Sequence, residues 1–402
     1  MPPLPPTRPI ALCLPLRLPL RLPLRRHVSS SSSSPPPPPP KATPYLRLTL
    51  LTALTASLAF YLRHKYSPSP STTSSTTLNP STFTPYTLTS KTPLSSTSAI
   101  FTLHPLHNNH AKANSTIYTT AWHAGLWSVQ FKQPQLQIGR DYTPLPPLAS
   151  PTTTTTSDGN RDGDGCDDDG ALRFLIRKDP YGEVSGYLHS LVPGATVEMR
   201  GPRVDYAFES EGDGGVEEVL FIAGGTGIAT AVQAGYVLLG NGGGKGRMHI
   251  LWASRRREDC VGGVSDSSTK GGWWRRVWGG GGGEVGKDDG VAGQNLIVRQ
   301  LEELKAANPG RLTVDYFVDE EGSLVGRDAI LAFTDGKRIK QSDSDGGKKK
   351  KKKVILVSGP DGFVSYLAGP KVWRDGVEAQ GPLGGLLGRL DVRSRGWSVW
   401  KL

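Results

Sequence analysis

The sequence predicts an α+β chain of two domains, a small antiparallel β-barrel followed by an α/β unit built on a parallel sheet. Three observations carry this. Short alternating runs, Ile100-Phe101-Thr102-Leu103, Ile117-Tyr118 and Leu126-Trp127-Ser128-Val129-Gln130-Phe131, read as half-buried antiparallel strands. The apolar run Val219–Ala223 stops at Gly224-Gly225-Thr226-Gly227 and passes into a helical stretch, as a buried strand does when it turns sharply into a helix. After that turn strand and helix patterns alternate to Ser358, which argues a parallel sheet covered on both faces.

Taken from the start, the chain of 402 residues has room for two ordinary domains and much linker. Its 49 glycines and 33 prolines exceed what packed domains need. The net charge of +11 is uneven: no Asp or Glu precedes Asp141, a stretch with 13 Lys and Arg, and the remainder balances 34 basic against 36 acidic residues. The basic excess belongs to the leader and its sequel, which argues against a nucleic-acid-binding body. Cys13, Cys166 and Cys260 form no CxxC pair, zinc set or disulfide framework.

Residues 1–44 are rich in Arg, Leu, Pro and Ser and read as a mitochondrial presequence ending in a low-complexity spacer. Tyr45–Leu62 is apolar or threonine except for Arg47; at ~1.5 Å per residue it reaches across a bilayer as a single anchor. Residues 63–83 follow as a stalk, and 84–208 as the barrel domain. His104, His107 and His110 lie among Asn, Lys and Pro and read as a solvated loop rather than a metal set. Residues 148–170 form a Thr-, Asp- and Gly-rich insertion without the ligand spacing of an EF-hand. Leu172–Arg177 is a strand, Gly182–Leu191 opens a short helix with Ser185 near its cap, and Thr196–Gly201 closes the barrel.

A linker over 209–217 leads to the second domain, 218–402. Its strands are predicted at Val219–Ala223, Met248–Ala253, Leu312–Val318 and Val354–Ser358, its helices at Thr226–Leu239, Asn295–Ala307 and Arg327–Phe333. Two interruptions break the alternation, Gly262–Gly293 with Trp273, Trp274 and Trp278, and Asp335–Lys353, which ends in six lysines. The lysine run reads as a solvated loop or as a docking patch for an acidic partner or anionic lipid.

Four segments stand in order: Arg140-Asp141-Tyr142-Thr143-Pro144-Leu145, Gly182-Glu183-Val184-Ser185-Gly186-Tyr187-Leu188, the Gly224–Gly227 turn, and Val354-Ile355-Leu356-Val357-Ser358-Gly359-Pro360-Asp361-Gly362. Together they resemble the ferredoxin–NADP reductase superfamily, in particular its cytochrome b5 reductase branch, over residues 84–370. The resemblance implies a two-domain flavoreductase, with FAD on the barrel and NADH or NADPH as electron donor on the parallel sheet. By that match Arg140 pairs with the FAD phosphates, Tyr142 packs on the ribityl and ring system, and Thr143 sits by the flavin's reactive nitrogen. Gly182, Val184 and Ser185 hold the pyrophosphate. Gly225, Thr226 and Gly227 bind the dinucleotide, and Ser358, Gly359 and Pro360 face the nicotinamide, so Thr143 and Ser358 are the candidate catalytic residues. The chain departs from the commoner pattern twice, with Ser358 in place of Cys and Thr230 in place of Pro. Asp319, ending Tyr316-Phe317-Val318-Asp319, implies NADH because a carboxylate accepts the free ribose hydroxyls and repels a 2′-phosphate. The run Arg255–Arg257 argues the other way.

Residues 366–402 fit that branch poorly. With the leader and anchor they resemble the fungal mitochondrial flavoproteins of cytochrome c import and haem attachment. That implies electron transfer from NAD(P)H through FAD to haem iron or a haem protein, in a single-pass protein of the mitochondrial inner membrane. Apocytochrome c and its haem-attachment machinery are the implied partners. Two alternatives stand beside it: electron transfer of the cytochrome b5 reductase type, and an assembly factor that holds FAD without turnover. Trp400, near the end of Trp397-Ser398-Val399-Trp400-Lys401-Leu402, either stacks on the flavin or packs in a last strand.

Overall fold

The computed structural model describes residues 77–106, 111–147, 170–208, 216–240, 246–269, 294–335 and 352–402. The predicted presequence and anchor, most of the stalk, His107 and His110, residues 148–169, and most of the linker and both interruptions lie outside the described residues. So do Cys13 and Cys166. Among the described residues no helix is long and apolar enough to cross a membrane.

Strands β1 (Thr84–Pro93), β2 (Ser98–Pro105), β3 (Leu126–Gln133), β4 (Ile138–Tyr142), β5 (Pro144–Leu145), β6 (Leu172–Arg177) and β7 (Thr196–Tyr206) form one antiparallel sheet in the order β4-β3-β7-β1-β2-β6-β5. β4 and β5 are its two edges, yet only Thr143 separates them in the chain. Two residues of backbone reach at most ~7 Å, so the edges meet there and the sheet closes into a barrel with Thr143 at the seam. Alternate residues point inward, among them Tyr86, Leu88, Phe101, Leu103, Trp127, Val129, Phe131 and Phe174, all buried.

Two expectations fail in this domain. Ile117-Tyr118 is no strand but part of helix α1 (Ala111–Ala124). Asn114, Tyr118, Ala121 and Trp122 are buried on one face at helical spacing. They meet the barrel through Leu78 N–H donating to Asn114 Oδ1 at 2.8 Å and the Tyr86 and Tyr118 hydroxyls at 2.7 Å. Threonines interleaved with these residues imitate the alternation of a strand. His104 is no loop residue either: it lies in β2, its Nδ1 2.9 Å from Thr89 Oγ1.

The rest of the barrel domain is helix α2 (Glu183–Ser190), packed on β3 and β4. Beyond it come β8 (Val216–Gly224), α3 (Ile228–Gly240), β9 (Arg247–Ser254), α4 (Asp266–Thr269), α5 (Leu296–Ala307), β10 (Leu312–Val318), α6 (Arg327–Thr334), β11 (Lys352–Ser358) and α7 (Asp361–Ala368). A small hairpin, β12 (Val372–Arg374) with β13 (Val377–Ala379), then α8 (Gly385–Arg389) and β14 (Trp397–Lys401) complete the chain. The second sheet runs β10-β9-β8-β11-β14, parallel throughout.

Its strands are buried on both faces, as parallel strands are. One face packs Val219, Phe221, Ile250, Val314 and Leu356 under α3 and α5, and this core also takes in Ile100, Leu126, Leu145 and Leu175 from the barrel. Barrel and sheet therefore share apolar packing rather than meeting at a wet interface. The other face packs Leu220, Ile222, Leu251, Ile355 and Val357 with Ile330 of α6 and Leu367 of α7.

The tail supplies the fifth strand. Trp397 is buried, while Trp400 is 38% exposed and lies against Tyr206, ring centroids 5.7 Å apart. This is the strand alternative for Trp400, on the sheet face that also carries Leu356. The outer edge of β14 is covered by Gln380, whose amide donates to Lys401 O at 2.8 Å and accepts Lys401 N–H at 2.7 Å. The Lys401 ammonium is buried and donates to the carbonyls of Pro370 and Pro382 at 2.8 and 3.1 Å. Burial, then the charges of Arg393 and Lys371, pull its pKa down.

Candidate functional site at the barrel seam

The parallel sheet aims the C-terminal ends of its strands at one rim, the place where open α/β sheets take ligands. β8 delivers Gly225, Thr226 and Gly227 as a short 3-10 turn leading straight into α3. β11 delivers Ser358, with Gly359 and then Pro360 as the N-cap of α7. These two turns touch backbone to backbone. A Cβ on Gly227 would stand 2.4 Å from Ser358 O, and Gly359, at φ +151°, has the Gly224 backbone 3.0 Å from where its Cβ would be. Gly225 is left-handed, at φ +55°, and a Cβ there would lie 3.7 Å from Arg177 Nη1. The Trp252 indole donates to Gly225 O at 3.1 Å.

The barrel seam sits against this rim. Thr143 Oγ1 is 3.0 Å from Thr230 Oγ1 in the first turn of α3, and Ser358 Oγ donates to Thr230 Oγ1 at 3.4 Å. The two candidate catalytic hydroxyls, 215 positions apart in sequence, are thus bridged by one residue. One helical turn on, Gln233 is wholly buried. It accepts Trp127 N–H at 2.9 Å and donates to Trp127 O at 3.1 Å and Pro144 O at 3.3 Å. α3 is thereby fastened to both sides of the seam, while Gln300 of α5 donates to Pro146 O at 3.1 Å.

On the barrel side Arg140 is exposed, and its guanidinium donates to Gly139 O at 3.0 Å. Tyr142 stands edge-on to Phe131 at 5.2 Å. Burial pushes its hydroxyl up to about 12, with Arg140 pulling down and Asp179 pushing up. α2 packs on β4, which brings its N-terminus beside the Arg140–Thr143 segment. Ser185 stands in the first turn, near the cap, and its hydroxyl turns inward, accepting Asp179 N–H at 3.1 Å and donating to Gly182 O at 3.2 Å. Gly182 is the N-cap and provides no side-chain bond. The amides of Glu183, Val184 and Ser185 therefore have no acceptor within the helix; the Val184 side chain is buried in the barrel core.

Asp319 is exposed at the end of β10, opening a 3-10 turn with Glu320 and Glu321. In the order β10-β9-β8, two strand spacings of ~4.8 Å separate its strand from the glycine turn. The competing arginines are largely engaged. Arg257 pairs with Glu321, its amide donating to Glu320 Oε1 at 2.6 Å, and Arg256 meets Glu258 at 3.2 Å. The bond to Glu321 leads the upward shift of Arg257, and Glu321 is lowered in turn. Arg255 is exposed. Cys260 is buried, and burial pushes its thiol up, which makes it unreactive.

Two residues of this site, Gln233 and Arg177, escape motif reading, and Thr230 shows there only as a departure from the pattern. A lone amide in the apolar helix Ile228–Gly240 is the signal that points to Gln233, since a polar side chain there needs buried partners.

A closed antiparallel barrel seamed against the strand-end rim of a parallel sheet is the two-domain architecture that the sequence predicts. No family model matches the chain. It is similar to the cytochrome c mitochondrial import factor CYC2 of Saccharomyces cerevisiae, 36% identical over 131 residues, which is 33% of this chain and 34% of that protein. It is similar also to NADH-cytochrome b5 reductase 2 of Botryotinia fuckeliana, 24% identical over 262 residues, 65% of this chain and 58% of that one. An uncharacterised FAD-binding protein of Schizosaccharomyces pombe is 29% identical over 156 residues, 39% of this chain and 47% of that protein. The chain thus spans between about a third and three-fifths of the length of these relatives.

Proposed function

We propose that the chain is an FAD-dependent oxidoreductase of the mitochondrial inner membrane, held there by residues 45–62. It takes electrons from NADH and passes them to haem iron or a haem protein in cytochrome c maturation. The observation that carries this is the meeting of Thr143 and Ser358 across the seam, where barrel and strand-end rim come within one side chain of each other. The similarity to a cytochrome c import factor and to NADH-cytochrome b5 reductases supports the donor, the acceptor class and the compartment.

The residues present fit FAD. An exposed guanidinium, an aromatic ring and a helix N-terminus whose first amides have no acceptor within the helix stand at Arg140, Tyr142 and Gly182–Ser185, a donor set suited to a pyrophosphate-linked ring system. Bound there, the flavin would supply the redox chemistry, accepting a hydride from nicotinamide and handing electrons on. The chain's own part is geometric and electrostatic. Arg140 and the α2 amides hold phosphate, Tyr142 stays protonated and packs, and Thr143 and Ser358 set the distance between the two ring sites. Gly225, Thr226 and Gly227 let a dinucleotide approach the backbone, with Arg177 alongside. Gly359 and Pro360 hold Ser358 at the rim, and Asp319 with its neighbouring carboxylates selects a ribose without phosphate.

Purification of the full chain and titration with FAD test the reading. Arg140→Ala removes a charge-assisted bond worth roughly 1.5–3 kcal/mol and weakens FAD binding about ten- to a hundredfold. A colourless protein that takes up no FAD would sink it. A second reading, an assembly factor that holds FAD without turnover, draws on the tight backbone contact between the Gly227 and Ser358 turns, which gives those glycines a packing role needing no ligand. Bleaching of the bound flavin by NADH separates the two.

A further inference from the structure

We propose that Thr230 is a positioning residue that joins the Ser358 and Thr143 hydroxyls into one directed hydrogen-bond chain across the junction of barrel and sheet. This rests on reading the seam as the flavin–nicotinamide junction. The two positions at which the chain departs from the commoner reductase pattern, Thr230 for Pro and Ser358 for Cys, are here in contact, Ser358 Oγ donating to Thr230 Oγ1 at 3.4 Å. A proline at 230 has no hydroxyl and could form neither link.

The hydroxyl of Thr230 is directed to this task. Helical threonines ordinarily bond back to the carbonyl four residues earlier, and Thr116, Thr120 and Thr334 do so, to Lys112 O, Thr116 O and Ile330 O. Thr230 instead meets Thr143 Oγ1 at 3.0 Å. Each hydroxyl has one proton to give. In the proposed chain Ser358 gives its proton to Thr230, and Thr230, whose contact with Thr143 suits either donor, gives its own to Thr143, which leaves the Thr143 proton for a partner outside the chain. Thr230 and Ser358 are each 8% exposed, so water competes little for these bonds. The buried Gln233, one turn further along α3, holds the helix against Trp127 and Pro144 and keeps the spacing. Thr230 therefore orients the Thr143 proton without itself facing the ring sites.

The test uses the full chain loaded with FAD, as wild type and as Thr230→Val, Thr230→Ser, Ser358→Ala and the Thr230→Val/Ser358→Ala double variant. The readouts are the single-turnover rate of flavin bleaching by NADH, the midpoint potential and visible spectrum of the bound flavin, and FAD affinity. Valine keeps the shape and removes the hydroxyl. It is expected to slow bleaching about five- to tenfold, the worth of one neutral hydrogen bond, and to shift the flavin potential. FAD affinity stays within about twofold, since no phosphate contact is lost. Serine restores the rate, and the double variant is no slower than Thr230→Val alone, because both changes cut one chain. Wild-type rate and potential in Thr230→Val, no rescue by serine, or multiplying effects in the double variant each overturn the chain. A wild-type protein that takes up no FAD overturns the reading of the seam and this inference with it; uptake with a silent Thr230→Val overturns the inference alone.

Discussion

Gln233→Leu should loosen the junction between barrel and sheet more than any other single change on α3. The native amide makes three bonds, to Trp127 N–H, Trp127 O and Pro144 O, and both Gln233 and Trp127 are at 0% exposure. Leucine fills nearly the same space but leaves one donor and two acceptors buried without partners. Each lost bond is worth ~1 kcal/mol, and stranded groups cost more when water cannot reach them. The β3–β7 ladder limits relaxation, so a loss of roughly 2–4 kcal/mol is expected. In a chain of this size that lowers Tm by roughly 4–10 °C. Urea titrations followed by tryptophan fluorescence and by far-ultraviolet circular dichroism give the change directly. FAD affinity should fall as well, because Pro144 adjoins Thr143. A variant within about 0.5 kcal/mol of wild type would show that α3 is held by the apolar core alone and that the amide contacts are incidental.

Asp319→Ser should raise the NADPH-to-NADH ratio of catalytic efficiencies about fivefold or more, the effect of removing one like-charge contact; an unchanged ratio would transfer the role to Arg255. Asp315 predicts an acid limb in stability. Burial raises its carboxyl, but His249 at 3.4 Å and the Ser267 amide at 2.9 Å outweigh burial and hold it below 3.8. A lowered folded pKa stabilises above the unfolded value and is lost as pH falls through the folded one. The gap in Tm between wild type and Asp315→Asn should therefore shrink below pH ~4, and a gap that stays constant down to pH ~2.5 would refute the assignment. Trp400→Ala should lower stability by ~1–2 kcal/mol through lost contact with Tyr206 and leave the bound-flavin spectrum unchanged; an altered spectrum would return Trp400 to the flavin.

The sequence was most legible where periodicity and burial agree. Parallel strands such as Val219–Ala223 are uniformly apolar because helices cover both faces, and the helix after Gly227 announces itself by its glycine turn. The failures have physical causes. Asn114 and Tyr118 sit on a helix whose threonines imitate a strand, and only the barrel packed against them decides the matter. The strand Trp397–Lys401 is one of two readings of the tail in sequence, and its outer edge is held by Gln380, a partner no local pattern reveals. At the site, the chemistry of Thr143 and Ser358 could be read only through resemblance. The residue that links them is visible in sequence only as a departure at 230, since contacts between residues so far apart are set by the docking of α3 on the barrel. Ser185 stands near the helix cap as the sequence reads it, but only the fold shows its buried hydroxyl turned into the loop, onto Asp179 N–H and Gly182 O.

The polarity of the parallel sheet also settles where this chain can vary. Every strand of that sheet enters at one rim and leaves at the other, and Gly225, Asp319 and Ser358 all stand at the exit. Lys352 and Lys353, the described end of the lysine run, stand at the entrance of β11, and with ~3.3 Å per residue the strand puts about 20 Å between Lys352 and Ser358. The segment 241–245 likewise feeds the entrance of β9. Length and charge can therefore be added or removed at that entrance rim, by drift in a lineage or by an engineer attaching a label, while the exit rim keeps its geometry. The sheet insulates one end from what happens at the other.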